Sequence, residues 1–338
     1  VSEHGRQLLE LEANAPMVPA SAQKLLTGLA VLHRLGSGGV LTTRVLGESY
    51  PVDGVLEGDL WIVGGGDPLL MTAPYADRFD DPRPYTGLEG LAQMVTEAGV
   101  RVVEGSVVGD ESRYDSVRYL GTWPDRFKPG WSIQSGPLSA LSVNDGFFQW
   151  DLVNTAASLS VPADDPPENA ARIFDDLLEV EGVVIRQRPD SGTTPVSSGM
   201  VSLAEVPSAP ASALVEQMLV DSDNTTAELL VKELGTFGGE QGTTVRGLST
   251  ILEILTEAGH PVEGAVPHDG SGLDPDNRVT CGLLTSVLND RDFGDLLVNS
   301  LPVAGDRGTM KKRFVGTAGE GRVRAKTGTL RNVSSLAG

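Results

Sequence analysis

The chain of 338 residues has a single cysteine, Cys281. One thiol excludes a disulfide framework and a thiolate metal cluster. In Thr280-Cys-Gly-Leu-Leu it reads as a small buried hydrophobe. Histidine is nearly as scarce. His4, His33, His260 and His268 show no metal-ligand spacing, and no His-Glu-x-x-His occurs, so no metal or other cofactor is expected. No apolar run approaches the roughly 18 residues of a membrane span, and residues 25–32, the best candidate, are interrupted by Thr27 and Gly28. Basic residues are few: 26 Lys and Arg stand against 46 Asp and Glu, a net charge of −20. That balance argues against nucleic acid and anionic membrane surfaces. The acidic residues are dispersed, as on a solvated surface. No signal-peptide pattern opens the chain, which starts at Val1 in mid-pattern and reads as a mature or trimmed form. A Gly-x-Ser-x-Gly elbow and a Walker loop are both missing, and Gly64-Gly65-Gly66 reads as a turn after a strand over 59–63.

Against these absences stand three motifs in order: Ser21-Ala-Gln-Lys24, Ser222-Asp-Asn224 and Lys326-Thr-Gly328. Each alone is common, and Ser142-Val-Asn144 is a second match to the middle one. The conjunction is what specifies. Of the six lysines (Lys24, Lys128, Lys232, Lys311, Lys312 and Lys326), only Lys24 has a serine three residues before it. A serine hydroxyl is a weak nucleophile and needs an adjacent base. Lys24, one helical turn after Ser21, is placed to act as that base when neutral. Burial and the charge of Lys326 are both expected to depress its pKa.

Mean hydropathy near zero and 40% apolar residues describe an ordinary globular chain, long enough for two domains. Leu25, Leu26, Leu29, Leu32 and Leu35 predict a helix that opens at Pro19-Ala-Ser21 and stops at Gly36. A weak strand is expected over 7–12. Three helix–glycine–strand units are expected over 88–108, 170–185 and 248–266, the second with a proline-bearing start at Pro166-Pro167. A Ser/Gly/Thr/Pro-rich passage over 190–210 reads as a linker or domain boundary. Helices then follow near 211–219, 224–234, 243–258 and 280–288, with strands over 322–326 and from 334 to 338. The fold class expected is α+β or α/β. The long interval from Ser21 to Ser222 must hold an inserted domain.

With these residues in place, the chain resembles the low-molecular-mass class C penicillin-binding proteins, the D-Ala-D-Ala carboxypeptidase and endopeptidase family. Further blocks carry the resemblance: Pro19-Ala-Ser21, Gly58-Asp-Leu-Trp-Ile-Val-Gly-Gly-Gly-Asp-Pro68 and Ser139-Ala-Leu-Ser-Val-Asn144. So do Asp269-Gly-Ser-Gly-Leu273, Ser300-Leu-Pro-Val-Ala-Gly305 and Arg324-Ala-Lys-Thr-Gly-Thr-Leu330. The resemblance implies an α+β, β-lactamase/transpeptidase-like domain, an antiparallel sheet flanked by helices, over 1–66 and 206–338. A smaller α/β domain is inserted over 67–205, and the family's further nested β-rich domain is missing or reduced near 150–165.

By the same resemblance Ser21 is the nucleophile, Lys24 the base and Ser222 a proton relay between Lys24 and the leaving amine. Asn224 holds Lys24 and the substrate amide. Lys326, Thr327 and Gly328 form the carboxylate-binding strand edge, and the amides of Ser21 and Thr329 form the oxyanion hole. Trp131, Gln134 and Ser135 are candidate contacts to the substrate side chain. The implied substrates are peptidoglycan stem peptides outside the cytoplasmic membrane, with β-lactams as acylating inhibitors. Three departures from the family pattern stand out: the reduced nested domain, ends that read as incomplete, and Asp274-Pro275 where Ser-Arg is usual. The stretch after Trp131 also lacks acidic and tyrosine residues that some members use. Two other readings remain. A serine β-lactamase is disfavoured because no Glu-x-x-x-Asn pattern stands out between Ser21 and Ser222. A non-catalytic wall-binding protein that keeps the fold is disfavoured because every chemical residue is present.

Overall fold

The helix Lys24–Leu35 shows why its sequence is apolar on nearly every face: Leu25, Leu26, Leu29, Ala30, Val31 and Leu32 are all fully buried. In the computed structural model, which describes residues 2–3, 6–7, 9–129, 132–151, 160–195 and 199–338, this helix runs through the middle of one compact unit. The unit comprises Val1–Gly39, Leu120–Phe127 and Pro210–Gly338. The helices Ala211–Val220, Asn224–Leu234, Thr244–Glu257, Cys281–Leu288 and Gly294–Asn299 all pack against it. Each buried leucine contributes about 2 kcal/mol by leaving water. At Gly28 the neighbours close in to van der Waals contact: a Cβ there would meet Val215 and Met218 at 3.1 and 3.3 Å.

Side-chain caps define several helix starts. Asp223, Thr243 and Thr280 each accept from the amide three residues on, as N-caps do. The strands Lys326–Leu330 and Val333–Ala337 form an antiparallel hairpin with Lys326 opposite Ala337. The strand expected over 322–326 therefore begins where it was expected to end. The weak strand over 7–12 reduces to Arg6–Gln7, paired with Ser2–Glu3, while Leu9 and Leu11 are exposed. After the Thr244–Glu257 helix, Val266 makes only an isolated bridge to Arg278, so the third expected helix–strand unit is a helix and a loop. Cys281, expected to be buried, is exposed at the first position of its helix.

The second unit comprises Val40–Tyr119 and Lys128–Ala209. Its five-stranded sheet has the order Asp190–Ser191, Val107–Asp110, Leu60–Val63, Thr42–Gly47, Val201–Pro207. The first three strands are parallel and the last two antiparallel. Helices Leu88–Glu97 and Pro166–Val180 pack on it. Leu88, Leu91, Ala92 and Val95 form one buried stripe at i, i+3, i+4 and i+7. The Pro166 helix starts as its prolines predict, with Asp165 as N-cap. The passage over 190–210 is not a linker, although the boundary between the two units falls at its end, between Ala209 and Pro210. Asp190–Ser191 and the seven-residue Val201–Pro207 are the two edge strands of this sheet. For the same reason residues 40–66 group with this unit rather than with the first: Thr42–Gly47 and Leu60–Val63 are hydrogen-bonded into its sheet. Phe147–Trp150 and Ser160–Pro162 pair antiparallel, while residues 152–159, where a reduced nested domain is expected, lie outside the described residues. The second Ser-x-Asn match is structural: Asn144 Oδ1 accepts from the backbone amide and hydroxyl of Thr72.

Candidate active site

All three motifs fall in the first unit. Ser21 lies in a 3-10 turn, Ala20–Gln23, that feeds directly into the Lys24 helix. Ala20, immediately before it, has φ of 47°. Such left-handed backbone costs a non-glycine residue about 1–2 kcal/mol. Ser222 is held the same way, at φ 59°, between the helices Ala211–Val220 and Asn224–Leu234. The middle residue of its motif has a local purpose. Asp223 caps the following helix through Thr226 N, at 3.0 Å, and accepts from Gln217 Nε2 at 2.9 Å. Asn224 is thereby fixed as the first residue of its helix.

Lys24 is fully buried. Its Nζ lies 2.7 Å from Asn224 Oδ1, 2.7 Å from the carbonyl oxygen of Ser271 and 3.3 Å from Ser21 Oγ. Two of these partners are carbonyl-type oxygens, which can only accept. A neutral amine has two N–H donors and one lone pair. With both donors held by Asn224 and Ser271, the lone pair faces the Ser21 hydroxyl. Burial depresses the Lys24 pKa to about 8, against the opposing pull of Asp269, Glu228 and Asp223.

The Ser271 carbonyl is presented by a rigid loop. Asp269, fully buried, accepts from the amides of Gly272 and Asp274, from Asn277 Nδ2 and from Trp123 Nε1. Glu228, one turn after Asn224, accepts from the amides of Gly270 and Ser271 at 3.0 and 2.7 Å. Burial, reinforced by the neighbouring Asp269, pushes the Glu228 carboxyl well above the usual carboxylate range. Gly272, at φ 86°, permits the loop's close approach, since a Cβ there would collide with the Ala20 carbonyl.

Lys326 is also fully buried, and its Nζ donates to Ser222 Oγ at 2.8 Å and to the Thr327 carbonyl at 2.9 Å. Burial, and then the charge of Lys24, hold its pKa well below that of an ordinary lysine. Burial is the largest cause of both lysine shifts, as expected for Lys24, and the repulsion between the two ammonium charges acts on the pair. Ser222 is paired with Lys326, whereas the partners of Lys24 are Ser21, Asn224 and Ser271. The strand carrying Lys326, Thr327, Gly328 and Thr329 passes directly against the Ser21 turn. A Cβ on Gly328 would fall 2.9 Å from Ser21 N and 2.7 Å from the Pro19 carbonyl. Ser335, on the paired strand, donates to that carbonyl at 2.5 Å. Thr327 Oγ1 donates to Thr309 Oγ1 at 2.8 Å, and Thr329 is exposed.

The structure thus gathers Ser21, Lys24, Ser222, Asn224 and Lys326 to Thr329 within one unit. Trp131 lies outside the described residues, and Gln134 and Ser135 belong to the second unit, the former exposed and the latter buried. Sequence reasoning missed Glu228, Asp269, Trp123 and the Ser271 carbonyl. The block Asp269-Gly-Ser-Gly-Leu273 was the available signal. Among the described residues one group is suited to a metal, and it contains none of these residues: His33, His260 and Asp290.

The D-Ala-D-Ala carboxypeptidase 3 (S13) family matches over residues 2–159 and 153–338. Carboxypeptidase DacB of Mycolicibacterium smegmatis is 32% identical, covering 100% of this chain and 71% of its own length. The D-alanyl-D-alanine carboxypeptidase of Actinomadura sp. (strain R39) is 29% identical over 99% of this chain and 72% of its own. Penicillin-binding protein 4 from Haemophilus influenzae shares the fold, with a TM-score of 0.78 at 21% identity, covering 99% of this chain and 84% of that one. Its complex with a novel β-lactam matches with a TM-score of 0.75. The chain belongs to the D-Ala-D-Ala carboxypeptidase 3 (S13) family of peptidases.

Proposed function

We propose that this chain is a serine DD-peptidase of peptidoglycan stem peptides that works through an acyl-enzyme on Ser21. The supporting observation is the geometry of Lys24, whose two carbonyl-type partners leave its lone pair for the Ser21 proton. Ser21 Oγ attacks the carbonyl of the penultimate D-Ala as its proton passes to Lys24. The C–N bond then breaks, and the amine of the terminal D-Ala leaves with a proton delivered through Ser222, the hydroxyl bonded to Lys326. Water adds to the ester, with Lys24 again as base, and returns Ser21. The close pass of the Gly328 strand at the Ser21 amide supports an oxyanion hole formed by the Ser21 and Thr329 amides, each donor worth about 3 kcal/mol. Lys326, buried and without a carboxylate partner among its hydrogen bonds, suits the substrate's terminal carboxylate.

Cleavage of D-Ala-to-diaminopimelate cross-links uses the same steps, so endopeptidase and carboxypeptidase activities share this site. β-Lactams acylate Ser21 as strained mimics of the substrate. Such a substrate places the enzyme outside the cytoplasmic membrane. Among the described residues no helix is long and apolar enough to cross a membrane.

Intact-protein mass spectrometry after benzylpenicillin treatment tests the reading, with Ser21→Ala alongside. A lasting adduct on the wild type and none on the variant is the expected result. Rapid penicillin turnover without an adduct would instead indicate a β-lactamase. The absence of both adduct and turnover would overturn the catalytic assignment.

A further inference from the structure

The last turn of the Lys24–Leu35 helix carries His33, nine residues and so about 13 Å along the axis from Lys24. Two other segments bring side chains to it. His260 follows the Thr244–Glu257 helix and Asp290 follows the Cys281–Leu288 helix. Both imidazoles aim Nε2 at the same oxygen, Asp290 Oδ2, His33 from 3.1 Å and His260 from 3.0 Å. All three donor atoms lie within 4.8 Å of one another.

We propose that His33 Nε2, His260 Nε2 and Asp290 Oδ2 form a binding site for a divalent transition-metal ion, zinc being the best match. The two imidazole-to-carboxylate separations, 3.1 and 3.0 Å, are close to the edge of a zinc tetrahedron, about 3.3 Å for bonds of about 2.0–2.1 Å. Two neutral imidazoles and one carboxylate form a borderline set that favours zinc over magnesium or calcium. The net charge of that set, minus one, suits a divalent cation.

The surroundings are those of an oriented ligand set rather than of a chance contact. His260 Nδ1 is bonded to Ser286 Oγ at 2.8 Å, the outer partner that commonly fixes a ligating imidazole. The other carboxylate oxygen of Asp290 accepts from the amides of Asp292 and Phe293 at 3.0 and 2.8 Å. Phe293 also stands edge-on to the His33 ring at 5.0 Å. Arg34, which lines the same groove, stacks its guanidinium 3.4 Å over the Phe237 ring. His260 and Asp290 side chains are 5% and 4% exposed, but His33 is 17% exposed and borders an open groove of about 770 Å³. That groove gives an entry path and room for a water as fourth ligand. An ion here would pin the far end of the catalytic helix to the ends of two neighbours.

The test is equilibrium dialysis of metal-stripped protein against Zn2+, with His33→Gln and Asp290→Asn as variants and benzylpenicillin acylation as the fold control. The wild type is expected to bind one zinc per chain and to gain thermal stability. Each variant should lose at least tenfold in affinity while still acylating. Zinc titrated into 15N-histidine-labelled wild type gives a readout that needs no variant, and it should shift the Nε2 resonances of two of the four imidazoles. Absence of stoichiometric binding would overturn the proposal, leaving a hydrogen-bonded His–Asp–His clamp. Unchanged affinity in both variants, or shifts at His4 or His268, would overturn it as well.

Discussion

Trp123 Nε1 donates a 2.9 Å hydrogen bond to Asp269 Oδ2, both side chains being buried. The short segment Leu120–Phe127 is thus latched to the loop that presents the Ser271 carbonyl to Lys24. Trp123→Phe removes one donor from a buried carboxylate, and it should cost about 2 kcal/mol in urea unfolding. The acylation rate should fall as well, because the loop under Lys24 loosens. An unchanged midpoint would show the bond to be dispensable.

Acylation by a chromogenic β-lactam should follow the neutral form of Lys24. The rate is expected to climb about tenfold per pH unit below pH 8 and to level off above the Lys24 pKa of about 8. Asn224→Asp places a carboxylate against Nζ, raising that pKa. The limb should then move to higher pH, and the rate at pH 7 should drop more than tenfold. A limb that stays in place would remove Lys24 from the role of base.

Glu228 carries a stability signature. Burial raises its folded pKa above the unfolded one, so the folded state holds a proton that the unfolded chain releases. Stability contributed by this group is present at low pH and declines as pH rises beyond the ordinary carboxylate range. Glu228→Gln removes the titration while keeping an acceptor for Gly270 and Ser271. The melting temperature of the variant relative to wild type should therefore rise between pH 5 and 7.5. A difference independent of pH would contradict the raised pKa.

Gly328→Ala should leave circular dichroism unchanged and slow acylation by about a hundredfold or more, the loss typical of one oxyanion donor. The added methyl would press on the Ser21 amide and the Pro19 carbonyl. Rapid-quench measurement of adduct formation checks it, and near-wild-type rates would mean that the strand can back away.

The helices were legible because apolar spacing and caps agree: Asp223, Thr243 and Thr280 each precede a periodic run. The chemical centre was legible because two serines, two lysines and an asparagine stand in three short motifs in a fixed order. What escaped did so for physical reasons. The Ser271 carbonyl is backbone, common to every residue type. His33, His260 and Asp290 lie far apart in sequence, and only folding joins them. The strand Val201–Pro207 sits at a sheet edge after a Ser- and Gly-rich stretch, where composition hides a half-exposed alternation. Lys326–Leu330 is too polar to announce itself by hydrophobic alternation. Glu228 and Asp269 are carboxylates inside the protein, against the ordinary expectation that acids face water.

Ala20 and Ser222 hold left-handed backbone beside the Ser21 hydroxyl and at the second serine, at a combined cost of about 2–4 kcal/mol. That is a sizeable share of a typical domain's 5–15 kcal/mol. Directed evolution for heat resistance would find easy relief there, with glycine at position 20 or asparagine at position 222. Selection by temperature alone would enrich such variants while degrading the alignment of Ser21 and the second hydroxyl. Thermostable descendants of this enzyme should therefore be sought with an activity screen applied at every round, or with both positions held fixed.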